Sequence, residues 1–342
     1  MRNADARRNA RSRGRVVVIT GASAGVGRAV ARAFARQGAR VGLVARSRER
    51  LEQAAREVEA AGGEALVLPL DVSDSEAVER AASEVEARFG PIDVWVNNAM
   101  VTVFSPVREM AAADYRRVTE VTYLGYVHGT LAALRRMLPR DRGVIVQVGS
   151  ALAYRAIPLQ SAYCAAKHAI AGFTESLRTE LLHDRSGVRV RQVQMPALNT
   201  PQFRWSKSRM PRRAQPVPPI FQPEVAAEAI LWAADHDRYE LYVGWPTVKA
   251  VMGDRIAPKL ADRYLARMGY EAQMTDEPED PGRPNNLYAP VPGDHGAHGD
   301  FDGRSRERSV QLWASERRGR LVLAGLAVAG AALGAALWGR DD

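Results

Sequence analysis

Short β-branched runs alternate with amphipathic stretches along most of the chain. The runs "VVVIT", "RVGLVA", "ALVLP" and "DVWVNN" are separated by stretches such as "GRAVARAFARQG" and "SEAVERAASEVEARFG", in which apolar residues recur every three or four positions. Repeated βα units of this kind predict a parallel sheet with helices on both faces. The pattern continues to "YELYVG", so we expect a doubly wound α/β domain over residues 15–245.

The pattern changes after Trp245. Residues 246–274 contain the helical sequence "KLADRYLARMGY" and predict a helical extension. Residues 275–309 are rich in Pro, Gly and Asp and predict a disordered linker, because so little apolar surface cannot offset the entropy of ordering the segment. Within this linker His295 and His298 lie between acidic residues. We interpret them as solvated residues, the alternative being a metal site.

Residues 310–342 predict a C-terminal helix. Leu321 to Trp338 contains no charge and no proline, and arginines flank it on both sides. At about 1.5 Å per residue this helix would span roughly 27 Å, slightly less than a bilayer core of about 30 Å. A transmembrane anchor is favoured over a buried soluble helix, since no nearby core is left for the segment to enter. The arginines before it place the main domain in the cytoplasm.

Charge and cysteine content limit which binding partners and which disulfide or metal sites the protein can have. The first fifteen residues supply +5 of the formal net charge of +9, and we expect residues 1–14 to form a disordered basic arm. The remainder is mildly basic, so we do not expect nucleic-acid binding. Cys164 is the only cysteine, which excludes an intrachain disulfide and a cysteine-based metal cluster. No metal site is predicted, and the N-terminus lacks the apolar core of a signal peptide.

A glycine-rich turn joins the first strand to the first helix. The sequence "TGASAGVG" follows "VVVIT" directly and opens the helical stretch "GRAVARAFARQG". In this position glycines allow a tight turn and a close approach to a pyrophosphate, which the N–H groups of the helix N-terminus then bind. The candidate cofactor-binding residues here are Gly21, Ser23, Gly25, Val26 and Gly27.

Several motifs in order resemble the short-chain dehydrogenase/reductase family, in its one-domain branch with TGxxxGxG. They are "TGASAGVG", "DV" at Asp71 and Val72, "NNA" at 97–99, Ser150 after a strand, and "YCAAK". The resemblance covers residues 15–244 and implies a Rossmann-like parallel sheet of about seven strands and a nicotinamide cofactor. It also implies that Asp71 and Val72 lie near the adenine, Asn98 beside the cofactor and Thr200 near the nicotinamide.

The end of the second strand favours NADP over NAD. An acidic residue there would accept a hydrogen bond from the ribose 2′-OH of NAD, but the sequence reads "LVARSRER". Arg46, with Arg48 as a further candidate, has the charge to pair with a 2′-phosphate. NADP is therefore the expected cofactor, and NAD is the alternative.

Tyr163 and Lys167 are the candidate catalytic pair. Residues four apart on a helix share a face, and an ammonium near the phenol is expected to lower its pKa towards neutrality. By resemblance, Tyr163 is the general acid/base, Lys167 tunes it and binds the nicotinamide ribose, and Ser150 orients the substrate oxygen. The expected reaction interconverts an alcohol and a ketone or aldehyde by hydride transfer.

Two residues depart from the family pattern. Thr122 replaces a frequent asparagine that supports a water relay to the lysine, and Met100 replaces the glycine of "NNAG" near the nicotinamide pocket. A membrane-tethered cofactor-binding protein with little turnover is therefore the alternative to an enzyme. The apolar segment at 203–221 suits a lipophilic alcohol or ketone. Dimers or tetramers are usual in the family, and Leu321 to Trp338 is the predicted membrane contact.

Overall fold

The computed structural model describes residues 14–319, 321–324 and 326, which form alternating strands and helices. The strands are β1 Val16–Thr20, β2 Arg40–Ala45, β3 Glu64–Pro69, β4 Val94–Asn97, β5 Val103–Phe104, β6 Gly143–Ser150, β7 Val188–Met195, β8 Lys207–Ser208, β9 Arg212–Ala214, β10 Ile220–Phe221, β11 Glu240–Tyr242, β12 Met274–Pro278 and β13 Ser305–Arg306. The helices are α1 Gly25–Ala35, α2 Arg48–Ala60, α3 Ser75–Phe89, α4 Ala112–Thr119, α5 Gly125–Met137, α6 Ser161–His183, α7 Gln202–Trp205, α8 Pro223–Asp235, α9 Gly244–Ile256, α10 Pro258–Met268 and α11 Val310–Glu316.

Seven parallel strands form the central sheet, in the order β11-β7-β6-β4-β1-β2-β3. The interior strand β1 is buried along its whole length, as expected for a β-branched run covered on both faces. The expected doubly wound α/β fold is confirmed. The order of the strands reverses at β1, which places a crevice outside the carboxyl ends of β1 and β4.

Helices cover both faces of this sheet. One buried apolar cluster joins the sheet to α1, α2 and α8, and a second joins its other face to α3, α5 and α6. Because each helix is the return connection between parallel strands, every strand reaches the same edge of the sheet at its carboxyl end. That edge carries the residues that follow β1, β2, β4 and β6, including Ser150 at the end of β6.

The prediction of a disordered linker over 275–309 is wrong, because this segment packs on the domain. Strand β12 pairs antiparallel with β9, and β13 pairs with β10. Between them runs a segment that we call the strap, residues 279–304. Leu287 of the strap is fully buried in the cluster that contains α3 and α5, and Asp294 forms an ion pair with Arg28. The composition of a segment indicates how much apolar surface it can bury by itself. The strap is instead ordered by contacts with the rest of the domain.

The two strap histidines contact protein groups. His298 Nε2 lies 3.0 Å from Glu224 Oε2 and its Nδ1 lies 2.9 Å from Asp302, and these carboxylates raise the pKa of His298 against the opposing effect of burial. The ring of His295 packs edge-on against Trp205, with 4.7 Å between the ring centroids. Within the described part of the chain, no group of three or more His, Cys, Asp or Glu side chains is arranged to hold a metal ion.

The two ends of the chain fall largely outside the described residues. The predicted basic arm is outside them except for Gly14, as is most of the predicted membrane helix Leu321 to Trp338. Of the helices that the structure describes, none has the length and apolar character needed to cross a bilayer. Helices α9 and α10 occupy the region of the predicted helical extension.

Candidate active site

A cavity of about 690 Å³ lies at the carboxyl edge of the sheet. It is lined by all three candidate catalytic residues, Ser150, Tyr163 and Lys167. It is also lined by most of the candidate cofactor residues, namely Gly21, Ser23, Gly25, Val26, Arg46, Asp71, Val72, Asn98 and Thr200. The exception is Gly27, which packs behind the turn. One cavity therefore brings together residues that are spread over most of the domain.

The glycine turn has room only for glycine at two positions. Gly21 has a φ of +70°, and a Cβ on it would lie 2.8 Å from the Cα of Ala99. A Cβ on Gly27 would lie 2.2 Å from the carbonyl oxygen of Gly21. The turn thus brings bare backbone and the N-terminus of α1 to the cavity, a shape and polarity that fit a pyrophosphate. The N–H of Gly25 donates to Gly296 of the strap.

Two arginines bound by the strap line the far end of the cavity. Arg46 donates to the carbonyl oxygens of Leu287, at 3.3 Å, and Asn286. Arg50 is buried, and its Nε donates to Gly293 at 2.8 Å. Its Nη2 is buried with no hydrogen-bond partner among the described residues. An unsatisfied cationic N–H in a cavity wall fits an anionic ligand group.

Arg50 lines the cavity, whereas Arg48, the further candidate from the sequence, does not. Arg48 is largely exposed, lies 3.9 Å from Glu52 and does not line the cavity. Arg50 was not predicted, although its place three residues after the N-cap Ser47 puts it in the first turn of α2. Trp205 packs against its guanidinium, with 5.1 Å from Cζ to the ring centroid. Because this contact joins residues far apart in sequence, the local pattern carried no sign of it.

Asp71 and Asn98 hold the loops at the cavity edge. Burial raises the pKa of the Asp71 carboxyl, but hydrogen bonds from Ser73 and Arg117 outweigh it, so the pKa lies below its usual value. Asn98 Nδ2 donates to the carbonyl oxygen of Thr20 at 2.9 Å, which ties the end of β4 to the end of β1. Both residues therefore shape the cavity wall through contacts within the protein.

Ser150, Tyr163 and Lys167 come together at the centre of the cavity. Tyr163 and Lys167 lie one turn apart on α6, and Lys167 Nζ is 5.5 Å from the centroid of the Tyr163 ring. Ser150 lies near the Tyr163 hydroxyl, where its side chain opposes the rise of the Tyr163 pKa that burial causes. The N–H of Ser150 donates to Gln194 Oε1 at 2.8 Å, which fixes the end of β6. A hydroxyl pair and an ammonium thus face the same space.

Burial dominates the protonation of this group. It raises the pKa of the Tyr163 hydroxyl, an effect that the nearby Ser150 side chain only reduces, and it lowers the pKa of Lys167 to about 7. The expectation that Lys167 by itself brings the Tyr163 pKa near neutrality is therefore not met. Because burial disfavours the charged form of Lys167, the lysine supplies less positive charge than the expectation assumed.

Tyr126, which the sequence did not single out, contacts Lys167 directly. Lys167 Nζ donates to Tyr126 Oη at 3.0 Å and to the Val148 carbonyl oxygen at 2.7 Å. Tyr126 Oη donates in turn to the same Val148 oxygen at 3.0 Å. Tyr126 is fully buried on α5, just after a π-helical turn over Glu120–Leu124. Tyr126, and not Thr122, is therefore the α5-side residue that is hydrogen-bonded to Lys167.

Thr122 makes no hydrogen bond to Lys167 in the described part of the structure. Its hydroxyl donates to the carbonyl oxygen of Val101 at 2.8 Å and accepts from the Val101 N–H at 3.0 Å. It is fully buried and does not line the cavity. Met100 does line the cavity, as expected.

The outer part of the cavity is mainly apolar. Its walls come from the loop after β6, from the segment after β7 and from α9 and α10, and include Leu152, Ile157, Phe203, Val217, Pro218, Pro246, Ala250 and Leu265. Lys249 and Asp254 add charge near the opening. The cavity therefore has a polar end at the glycine turn and the arginines and an apolar end beyond the reactive residues.

Known proteins resemble this chain in sequence. A family model described as short chain dehydrogenase matches residues 15–210. The oxidoreductase YxnA of Bacillus subtilis (strain 168) is 34% identical over 304 residues, which cover 88% of this chain and 85% of that protein. The fatty acyl-CoA reductase of Acinetobacter baylyi is 31% identical over 223 residues, which cover 65% of this chain and 73% of that protein.

Solved structures resemble it too. A metagenomic short-chain oxidoreductase in complex with NADP is 32% identical with a TM-score of 0.57, covering 68% of this chain and 97% of that one. An alcohol dehydrogenase from Thermococcus sibiricus complexed with 5-hydroxy-NADP is 32% identical with a TM-score of 0.58, covering 67% of this chain and 95% of that one. Together with the fold and the cavity, these matches show that the chain belongs to the short-chain dehydrogenase/reductase family of oxidoreductases.

Proposed function

We propose that the protein is an NADP(H)-dependent oxidoreductase that interconverts an alcohol and a ketone or aldehyde, with Ser150, Tyr163 and Lys167 as its catalytic residues. The observation that carries the proposal is the meeting of these three side chains in one cavity with the glycine turn. The NADP and 5-hydroxy-NADP named for the two similar structures support the choice of cofactor.

The cavity offers a place for each charged part of this cofactor. The glycine turn and the N-terminus of α1 would hold the pyrophosphate. Arg46 and Arg50 would hold the 2′-phosphate, because the strap carbonyls leave several guanidinium N–H groups of each unused. Asn98 and Thr200 would lie along the nicotinamide half. When bound, the cofactor supplies or accepts the hydride, and its oxidised ring adds positive charge near Tyr163.

Tyr163 transfers the proton in this mechanism. In the reducing direction Tyr163 Oη donates its proton to the carbonyl oxygen while the carbonyl carbon gains the hydride, and in the oxidising direction Oη accepts the proton of the alcohol. The Ser150 hydroxyl, which lines the same cavity as Tyr163, orients the substrate oxygen. The raised pKa keeps Oη protonated and ready to donate, and positive charge near the ring makes it acidic enough to do so.

Tyr126 positions Lys167 for this chemistry. The ammonium is buried without a carboxylate, so its charged form depends on the two acceptors that it contacts, Tyr126 Oη and the Val148 carbonyl. Each accepting oxygen stabilises the charged form and opposes the effect of burial on its pKa. We therefore propose that the hydroxyl of Tyr126 takes over the role that a water bound to asparagine has in the family pattern.

A lipophilic substrate fits the apolar end of the cavity. Apolar side chains on three sides of that end would be left facing water by a small polar substrate. The resemblance to a protein named fatty acyl-CoA reductase agrees with this choice. Met100 narrows the cavity with a flexible side chain that can adapt to a long apolar group.

Replacement of Tyr163 by phenylalanine tests the catalytic assignment. We expect Tyr163→Phe to lower the rate of carbonyl-dependent NADPH oxidation by about 10²- to 10⁴-fold, because the proton donor is lost while the ring is kept. NADPH binding, measured by its fluorescence, should persist. The exposed Tyr239→Phe is the matched control and should keep the full rate. Equal rates in wild type and Tyr163→Phe would refute the assignment and favour a cofactor-binding protein with little turnover.

Replacement of Tyr126 by phenylalanine tests the positioning role. Loss of one acceptor destabilises the Lys167 ammonium, so its pKa, already lowered to about 7, falls further. Activity that needs the charged lysine is present below this pKa and lost above it, so the alkaline limb of kcat/KM should move to lower pH by about one unit. Thr122→Val, which removes a buried hydroxyl that does not contact Lys167, should leave the limb in place. A pH-independent fall in rate would assign Tyr126 to folding alone.

Replacement of Arg46 by alanine tests the cofactor preference. Loss of a charge-assisted contact to the 2′-phosphate should weaken NADPH binding by about 10- to 100-fold and leave NADH binding nearly unchanged. Arg48→Ala is the control, because Arg48 is exposed and outside the cavity. Dissociation constants by fluorescence titration give both values. Parallel losses for NADPH and NADH in Arg46→Ala would contradict the assignment.

A series of methyl ketones of increasing chain length tests the nature of the substrate. Each buried methylene contributes about 0.8 kcal/mol, so kcat/KM should rise by up to about fourfold per added carbon until the apolar end is filled. The rates are measured with saturating NADPH. Activity on small polar carbonyls combined with none on the longer ketones would exclude a lipophilic substrate while leaving the catalytic assignment intact.

A further inference from the structure

Helix α10 presents an apolar stripe to solvent. Leu260, Tyr264 and Met268 lie four residues apart, on one side of the helix, and are 63%, 65% and 50% exposed. None of the residues of α10 is buried. An amphipathic helix in a globular protein normally turns such a stripe towards a core. In the described structure this stripe has no such cover.

A basic stripe runs beside the apolar one. Lys259, Arg263 and Arg267 also lie four residues apart, each one position before a member of the apolar stripe, and all three are exposed. Asp262, the only acidic residue of α10, is held by Arg155 at 2.5 Å. No carboxylate of α10 is therefore left to neutralise its three basic side chains.

Helix α9 extends the same surface. Trp245, Met252 and Ile256 are spaced by seven and four residues, on one side of α9, and Trp245 and Ile256 are 60% and 76% exposed. Lys249 lies within this row. Ile256 is the last residue of α9 and Leu260 lies in the first turn of α10, so only a short turn separates the two apolar rows along the chain. We call the two rows and the basic stripe the α9–α10 face.

The α9–α10 face shares residues with the wall of the active-site cavity. Lys249, Ala250 and Gly253 of α9 and Ala261, Tyr264 and Leu265 of α10 line the cavity that holds Ser150 and Tyr163. Tyr264 and Lys249 are both exposed and part of the cavity wall. A compound that enters between the two helices therefore passes the exposed apolar rows first.

From these observations we infer that the α9–α10 face docks on the surface of a bilayer containing acidic lipid, with the cavity opening turned towards the lipid. Exposed Trp, Tyr and aliphatic side chains next to Lys and Arg are typical of helices that lie in the membrane interface. Basic residues at such a face are attracted to acidic headgroups, and the apolar rows enter the boundary below them. The inference rests on the proposed function in that a lipophilic substrate would enter from the lipid.

Charge favours a bilayer over a second copy of the chain. In a twofold dimer through this face, Lys259, Arg263 and Arg267 would meet the same residues of the partner, and like charges oppose such pairing. The path of the chain also agrees with a membrane. Helix α11 packs against α9, and the described residues that follow it expose Leu321, Val322, Leu323 and Leu326. Further apolar residues thus leave the fold beside the same helix.

A fluorescent label on the face tests the inference in the full chain. Met268→Cys carries an environment-sensitive fluorophore, and Glu76→Cys, at a highly exposed position on α3, carries it as the control. The native Cys164 is buried, and labelling of the wild type measures its reaction. With vesicles of phosphatidylcholine and phosphatidylglycerol, we expect a blue shift and quenching by brominated lipid at position 268 and neither at position 76.

Charge reversal tests whether the α9–α10 face, and not another part of the chain, binds the vesicles. The double variant Arg263→Glu, Arg267→Glu should weaken the vesicle-dependent shift at position 268 by about tenfold or more, since each basic residue near an acidic surface contributes about a factor of five. Neither residue lines the cavity, so NADPH oxidation with a soluble ketone should be unchanged. Vesicles of phosphatidylcholine alone should give a weaker shift than those with phosphatidylglycerol.

Three results would overturn the inference. The first is sedimentation with vesicles without any change at position 268, which would mean that another part of the chain binds them. The second is a blue shift without vesicles that grows with protein concentration, which would show that a second copy covers the face. The third is a shift without vesicles that is independent of concentration, which would show that the chain covers the face itself. Docking without ketone reduction would leave the inference standing and refute the proposed function.

Discussion

The site depends on holding one ammonium group in a buried place. Lys167 is buried without a carboxylate beside it. The carbonyl oxygen of Val148 and the hydroxyl of Tyr126 therefore stabilise the charge of its ammonium group. These two groups belong to the end of β6 and to α5, while the lysine itself belongs to α6. Three elements must therefore meet within hydrogen-bond distance before the lysine can hold its proton. The parallel sheet makes this possible, because it delivers β6 and its flanking helices to the same edge.

Packing at the other end of the cavity follows from a second constraint, the close approach of backbone to backbone. Gly21 and Gly27 let β1, α1 and the end of β4 come nearer than any side chain would allow. The amide of Asn98 then fastens β4 to β1 across that contact. The glycine turn and the N-terminus of α1 thus line the same cavity as Ser150, Tyr163 and Lys167.

Sequence reasoning succeeded where the chemistry is encoded locally. The glycine turn, the Tyr163 and Lys167 pair and the alternating βα pattern are each visible within a few residues, and the structure places the first two in one cavity as expected. It failed where function depends on distant contacts. Arg46 meets Leu287, which is 241 residues away, and Arg50 meets Gly293. The composition of the strap predicted disorder because composition does not include the contacts that order this segment. Those contacts come from arginines more than 200 residues earlier in the chain. Tyr126 was missed because its role depends on a turn of π-helix and on the carbonyl of another strand.

The strap also affects the order in which the protein can be completed. Arg28, Arg46 and Arg50 belong to the first two βα units, yet their partners include Asp294, Asn286, Leu287 and Gly293. During synthesis the N-terminal part of a chain emerges first and begins to fold before the rest is made. The guanidinium groups of these arginines therefore stay in contact with water, or in a loosely packed intermediate, until the strap has left the ribosome. The first two βα units are thus the first part of the domain to be synthesised and among the last to acquire all their native contacts.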